Sequence, residues 1–244
     1  MLIFMHFYSP TLVLGVLFLF FWNRGGNGGG DPEAEFAPRR DLMVRTQIAA
    51  RGVRDARVLV AMTKVPRHEF VPTQMQAFSY DDGPVVIGEG QTISQPYIVA
   101  FMTEQAGVNP ESKVLEVGTG SGYQTAVLAE IASQVFSVEI VPLLQARAIE
   151  VLSRMGYNNI HFRLGDGYEG WPEEAPFDAI LVTAAPDHVP LELVSQLKIG
   201  GRMVIPIGDY SQDLELITRT ETGHARQSVL PVRFVPMTGK GKKN

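Results

Sequence analysis

Three glycines at alternate positions, Gly118, Gly120 and Gly122, close the apolar run 114–117 and open a helical stretch at Tyr123. Glycine takes positive φ freely and carries no Cβ, so such a turn lets the backbone come close to a bound cofactor. The spacing G-x-G-x-G differs from the G-x-G-x-x-G of dinucleotide sites, which points away from a nicotinamide and towards S-adenosylmethionine. Ser121 lies inside the same turn. Glu139 follows Gly118 by 21 positions, at the end of the next predicted strand, where an acidic residue commonly accepts hydrogen bonds from ribose hydroxyls. Gly165-Asp166-Gly167 ends a third strand, and Asp166 there is placed to bond an adenine amino group. Gly and Asp also fill many ordinary turns. Three such loops in chain order at strand ends make a nucleoside site the expectation.

A second polar stretch, Gln91-Thr92-Ile93-Ser94-Gln95, arrives just before Pro96, a residue suited to the first turn of a helix. Free N–H groups at a helix N-terminus form an anion site, so Ser94 is placed to help hold a carboxylate. On local grounds alone the plainer role, a helix cap supplied by Ser94 or Gln95, is favoured. Glu116 stands in an otherwise apolar strand, where a carboxylate is costly to bury unless paired. It reads either as a contact to a ligand's ammonium group or as a structural carboxylate bracing the glycine loop. No histidine stands at a spacing that would activate Ser94, and the window Thr119-Gly120-Ser121-Gly122-Tyr123 fails the G-x-S-x-G hydrolase pattern. The five histidines are scattered without ligand spacing and cysteine is absent, so no metal site is expected.

These residues need strand ends and helix starts to hold them. Segments 113–117, 135–140, 160–164, 178–183 and 202–207 read as strands, with helices at 123–131, 142–155 and 191–197 between them. That alternation implies βαβ units and a parallel sheet. Segments 214–219 and 232–235 follow without an intervening helix and read as antiparallel additions at the sheet edge. Upstream, 41–51 and 56–62 read as helices stopped by Gly52 and by Val65-Pro66, and 97–106 as a helix ended by Gly107. Residues 66–95, interrupted by Pro66, Pro72, Asp81-Asp82-Gly83-Pro84, Gly88 and Gly90, read as loop-rich. The expected fold is α/β: a doubly wound, mostly parallel sheet with an antiparallel edge and an N-terminal helical cap. The division is 1–30 as an apolar segment and tether, 31–107 as cap and acceptor loop, and 108–244 as cofactor-binding core.

The 244 residues, 45% of them hydrophobic, suffice for one such domain. A net charge of -5 argues against nucleic-acid binding, which usually needs a basic surface. Residues 1–22 are almost unbroken apolar sequence, followed by Asn23-Arg24 and the glycine-rich 25–30, a flexible tether by composition. A spanning helix needs about 20 apolar residues, which the segment barely reaches, so it reads either as a membrane anchor or as a poorly ordered extension outside the globular part. Arg24, Arg39 and Arg40 all lie on its C-terminal side, which places the domain in the cytoplasm if the segment does anchor.

From Leu42 to Gly239 the chain resembles the protein-L-isoaspartate (D-aspartate) O-methyltransferase family. The matching landmarks are Val65-Pro66-Arg67-His68-Glu69-Phe70-Val71-Pro72, then 87–96 and 114–126, then Gly165-Asp166-Gly167, Ala175-Pro176-Phe177-Asp178, Gly200-Gly201-Arg202 and Phe234-Val235-Pro236. The resemblance implies a methyltransferase sheet, S-adenosyl-L-methionine as donor, and the α-carboxylate of an L-isoaspartyl residue in a damaged protein as acceptor. The ester so formed cyclises to a succinimide, part of which reopens to normal aspartate. Carried over by position, Ser94 is the active-site serine. Gln91, Thr92 and Ile93 form the adjoining wall, counted with Glu116, Gly118, Gly120, Ser121, Gly122, Glu139, Asp166, Gly167 and Thr238 among the cofactor contacts. Isoaspartyl proteins and peptides are the implied partners, and a monomer is expected. A carboxylic acid with a pKa of about 4 is already ionised at neutral pH, so the acceptor needs no general base. The nearest enzyme rival, a nicotinamide oxidoreductase, lacks its fingerprint here. The Asn/Asp-Pro-Pro-aromatic tetrad of amino-group methylases is replaced by Val182-Thr183-Ala184-Ala185-Pro186.

Overall fold

The computed structural model describes residues 32–241; the apolar segment 1–22 and the tether 25–30 lie outside the described residues. Among the described residues, no helix is long and apolar enough to cross a membrane.

Strands β3 (Lys113–Val117), β4 (Gln134–Glu139), β5 (Ile160–Leu164), β6 (Phe177–Val182) and β7 (Leu197–Ile207) pair in parallel. With β8 (Gln212–Thr220) and β9 (Gly223–Val232) added antiparallel, the order is β5-β4-β3-β6-β7-β8-β9. The chain leaves β3 towards β4 and β5, then returns to place β6 on the other side of β3. That reversal opens a crevice above the carboxyl ends of β3 and β6, where ligands bind in sheets of this kind.

Successive side chains point to opposite faces of a strand. Val114, Val135, Leu181 and Val204 therefore pack on one face of the sheet, and Leu115, Phe136, Ile180 and Met203 on the other. The first face is covered by α3 (Pro96–Ala106), α4 (Tyr123–Ala129), α5 (Pro142–Arg154) and the N-terminal cap. The second is covered by α6 (Leu191–Ser195) with Tyr168 and Met237. Burial on both faces explains why β3 and β6 read as nearly continuous apolar runs.

The cap begins with α1 (Pro32–Met43), which continues through a π turn, Val44–Ile48, and a 3-10 turn, Ala49–Arg51, before Gly52 stops it at φ 99°. The sequence places this helix at 41–51, starting it nine residues late, because Pro38 inside the helix reads as a boundary. Glu33 and Glu35 at its start and Arg40 near its end suit the helix dipole. In α2 (Ala56–Lys64), Asp55 caps the N-terminus by accepting from the Arg57 amide at 2.9 Å. Segment 66–95 is loop-rich with short elements inside it. It holds 3-10 turns at Arg67–Phe70 and Thr73–Phe78, and a hairpin of β1 (Val85–Gly88) and β2 (Gln91–Ile93).

The last strand also corrects the sequence reading. It spans 223–232 rather than 232–235. Gly223-His224-Ala225-Arg226-Gln227-Ser228 is polar because β9 is an edge strand exposed on both faces, so it carries no alternating pattern. Residues 233–235 instead form a link without regular secondary structure, followed by a single bridge between Ala185 and Pro236.

Candidate functional site

Two clefts adjoin at the crevice. The first is bordered by Gln91 and Thr92 of β2, Gly118 and Gly120 after β3, Glu139 at the end of β4, Gly167, Thr183 after β6, and Met237-Thr238. It is narrow, about 80 Å³. The second, about 560 Å³, is bordered by Pro84, Thr92, Ser94, Gln95, Ile98, Thr183, the end of β9 at Pro231 and Val232, and the link 233–235. Thr92, Thr183 and Val235 belong to both. A further cavity, about 620 Å³, lies between the 69–75 segment and α5, touching the glycine loop at Gly120 and Ser121.

The first cleft is built from main chain. Gly118 stands at φ 96°, and a Cβ there would fall 2.3 Å from Thr183 Oγ1. Thr183 Oγ1 bonds the carbonyls of Val117 (3.1 Å) and Gly118 (2.7 Å), tying the ends of β3 and β6 together beneath the crevice. Glu139, 5% exposed, accepts from the amides of Gly120 (2.8 Å), Ile140 (2.8 Å) and Val141 (2.9 Å). A carboxylate offers about four acceptor positions, so three backbone donors leave room for a ligand hydroxyl. Gly167 is also required: a Cβ there would meet Val117 Cγ1 at 2.5 Å and Met237 Cε at 2.9 Å.

Five residues assigned to the cofactor from the sequence do not border this cleft. Glu116 is fully buried beneath the loop, where its Oε2 accepts from Thr125 and Ser137 hydroxyls at 2.6 Å each. Ser137 also bonds Thr119 at 2.6 Å, so the chain of hydroxyls links the glycine loop to this carboxyl. Burial pushes the Glu116 pKa up to about 8. Gly122 serves packing: a Cβ there would press on Leu152 Cδ1 at 3.0 Å and Ala148 Cβ at 3.2 Å, both on α5. Ser121 Oγ accepts from the Tyr123 amide (3.2 Å), and Ile93 is buried in the cap core. Asp166 accepts from the amides of Tyr168 (2.9 Å) and Lys240 (2.6 Å), pinning the C-terminal segment that carries Thr238.

The second cleft is assembled from distant segments. Neither Ser94 nor Gln95 caps α3 through its side chain. Gln95 Nε2 turns instead to Asp82 Oδ1 at 2.7 Å. The Ser94 hydroxyl forms no hydrogen bond among the described residues and lines the cleft beside Ile98, in the first turn of α3. Ser94 is held by its backbone: its carbonyl accepts from Arg67 Nη2 at 2.7 Å, while Arg67 Nε donates to the Ser79 carbonyl at 2.7 Å. Arg67 is fully buried with its guanidinium 4.8 Å from the centre of the Tyr123 ring, and burial lowers its pKa to about 10, leaving it charged at neutral pH. Beside it, His68 bonds Tyr80 Oη at 2.9 Å and stacks on Phe36 at 4.1 Å, docking α1 onto the segment that leads to the cleft.

Sequence reasoning missed Arg67 and Thr183 as site residues. Arg67 had a signal, a charge inside the tight Val65–Pro72 run. Thr183 had another, its place at the end of the strand that flanks the crevice.

The sequence pattern of the family described as protein-L-isoaspartate(D-aspartate) O-methyltransferase matches residues 39–242. A protein-L-isoaspartate O-methyltransferase of Picosynechococcus sp. is 57% identical over 82% of this chain and 90% of its own. One from Opitutus terrae is 53% identical over 82% of this chain and 86% of its own. Among solved structures, a protein-L-isoaspartate O-methyltransferase superposes with TM-score 0.75 at 30% identity, covering 84% of this chain and 67% of that one. A Plasmodium falciparum chain of the same description, in complex with S-adenosyl-L-homocysteine, gives TM-score 0.71 at 29% identity over 82% of this chain and 98% of that one.

Proposed function

This chain belongs to the protein-L-isoaspartate(D-aspartate) O-methyltransferase family, and from that premise we propose that its two clefts divide the family's reaction between a donor side and an acceptor side. The enzyme transfers a methyl group from S-adenosyl-L-methionine to the α-carboxylate of L-isoaspartyl residues in damaged proteins, initiating repair through succinimide. The observation that carries the division is the meeting of the clefts at Thr92, Thr183 and Val235.

The donor cleft suits a nucleoside sulfonium. Gly118, Gly120 and Gly167 present bare backbone where a side chain would fill the space, and Glu139 keeps acceptor capacity for ribose. Gln91, Thr92 and Thr238 close its walls. S-adenosylmethionine supplies an electrophilic methyl group there. Ile93, Glu116, Ser121, Gly122 and Asp166 support these walls from behind.

On the acceptor side the carboxylate is already ionised, so Ser94 has no proton to remove. Its free hydroxyl donates to the carboxylate, and the unpaired amides of the first turn of α3 add to that field. Arg67 fixes the Ser94 backbone, and positioning of this kind can remove several kcal/mol from a barrier. The region from 108 onward thus supplies the donor cleft apart from Gln91 and Thr92, and the acceptor cleft is shared: Pro84, Thr92, Ser94, Gln95 and Ile98 come from 31–107, Thr183 and 231–235 from the core. The test is methyl transfer from labelled S-adenosylmethionine to matched isoaspartyl and aspartyl peptides. Labelling of the isoaspartyl peptide alone is expected; equal labelling of both, or of neither, contradicts the assignment.

The apolar residues 1–22 support a finer reading, in which a monomeric catalytic domain is tethered at the cytoplasmic face of a membrane. Recovery of the full-length chain in the membrane fraction is expected on that reading, and recovery in the supernatant excludes it.

A further inference from the structure

Beyond the reacting centre, the acceptor cleft carries one charge. Of the residues that border it, only Arg233 is ionisable. Its guanidinium forms no hydrogen bond or ion pair among the described residues. Arg40, Arg51, Arg57, Arg154, Arg163 and Arg226 each hold a carboxylate. We propose that Arg233 is a second subsite of this cleft, one that binds a carboxylate side chain flanking the isoaspartyl residue in the acceptor peptide.

Three observations support it. First, the segment bearing Arg233 is held in place. The buried Gln212 side chain accepts from the Phe234 amide at 2.6 Å and donates to the Phe234 carbonyl at 3.2 Å, and the next carbonyl, of Val235, accepts from Ala185 at 2.8 Å. Arg233 therefore leaves a fixed backbone, which lowers the entropic cost of using it. Second, Arg233 is exposed whereas Ser94 is half-buried, which puts the cation on the rim and the hydroxyl deeper. A guanidinium on the reacting oxygen would also draw electron density from the nucleophile, so a rim position is the productive one. Third, a guanidinium presents a planar fork that matches a carboxylate through two parallel N–H donors. The other rim residues, Pro84, Ile98, Pro231 and Phe234, offer apolar contact along an extended peptide and no competing charge.

The proposal rests on the isoaspartyl reading of the cleft. An exposed pair of this kind contributes about 0.2–1 kcal/mol, a preference of roughly 1.5- to 5-fold. The experiment uses the full chain and isoaspartyl peptides in which one residue, at each of the three positions on either side, is Glu or Gln. At one or more positions the Glu peptide is expected to show a several-fold lower KM than its Gln partner, with kcat matched, and the gap should shrink in high salt. In Arg233→Gln the Glu-to-Gln ratio falls to about one, and in Arg233→Glu it inverts. Equal KM values for every Glu and Gln pair in the unaltered enzyme, or a preference that persists in Arg233→Glu, overturns the subsite while leaving the isoaspartyl reading intact. Failure to methylate any of the peptides overturns both.

Discussion

The clefts proposed for donor and acceptor share a wall but are made in opposite ways. The donor side is backbone: glycines at positive φ, amides gathered on Glu139, and strand ends stitched by Thr183. The acceptor side is side chain and loop: a free hydroxyl on Ser94, an aperture edged by 231–235, and a buried arginine holding the serine from behind. A cofactor of constant structure suits a rigid backbone cradle. An acceptor that differs in every damaged protein suits a shallow cleft with few fixed contacts. The contrast predicts that substitutions on the two sides separate donor affinity from acceptor turnover.

Gly118→Val should do the most damage, and on the donor side. Its Cβ would stand 2.3 Å from Thr183 Oγ1 at a φ of 96°. The left-handed backbone alone costs about 1–2 kcal/mol for a non-glycine residue, before the clash is counted. Loss of detectable S-adenosylhomocysteine binding by calorimetry is expected, with a lowered thermal midpoint. Wild-type donor affinity would break the claim that this backbone forms the cradle.

Arg67→Ala should be next, and on the acceptor side. It leaves the buried carbonyl of Ser79 without a donor, at about 1–3 kcal/mol, and frees the half-buried carbonyl of Ser94 at a smaller cost. A fall in kcat/KM for isoaspartyl peptide of the order of 100-fold is expected, with donor affinity little changed in whatever fraction folds. Arg67→Lys, able to reach one carbonyl, should recover part of the turnover. Equal loss of donor and acceptor function in the Lys variant would erase the distinction.

The smallest effect belongs to Glu116, beneath the glycine loop. Its pKa is raised by burial to about 8 in the folded chain, so the folded state holds a proton that the unfolded state releases. The stability this proton gives is fully present below the ordinary carboxylate range and is lost as pH rises towards 8, at up to about 1.4 kcal/mol per pH unit. Denaturant unfolding should show this slope in the parent chain. Glu116→Gln, which keeps an acceptor for Thr125 and Ser137, should flatten it. An unchanged slope would mean that Glu116 is ionised in the fold.

The same contrast governs what the sequence made legible. Glycine at positive φ leaves a visible mark, so Gly118, Gly120 and the acidic strand end at Glu139 were readable from spacing. So was the parallel sheet, because strands buried on both faces are apolar throughout. On the acceptor side only Ser94 was readable locally, from its place ahead of the Pro96 helix start, and its role as the active-site serine came through resemblance. Arg67, Ser94, Thr183 and Arg233 lie far apart in the chain, and no local pattern brings them together. Glu116, Ser121, Gly122 and Asp166 carried the right residue types but face neighbouring backbone and packing surfaces rather than the donor cleft. The final strand was misplaced because an edge strand exposed on both faces has no hydrophobic period.

The division of labour is tested most directly by comparing Glu139→Gln with Ser94→Ala in one pair of assays. These are S-adenosylhomocysteine affinity by calorimetry and kcat/KM for an isoaspartyl peptide at saturating donor. A hydrogen bond to a charged group is worth about 1.5–3 kcal/mol, or roughly 10- to 100-fold. Glu139→Gln should weaken S-adenosylhomocysteine by about that factor. Ser94→Ala should leave that affinity within about twofold while kcat/KM falls by a similar 10- to 100-fold. Full retention of kcat/KM in Ser94→Ala, or a loss of donor affinity there equal to that in Glu139→Gln, would contradict the account.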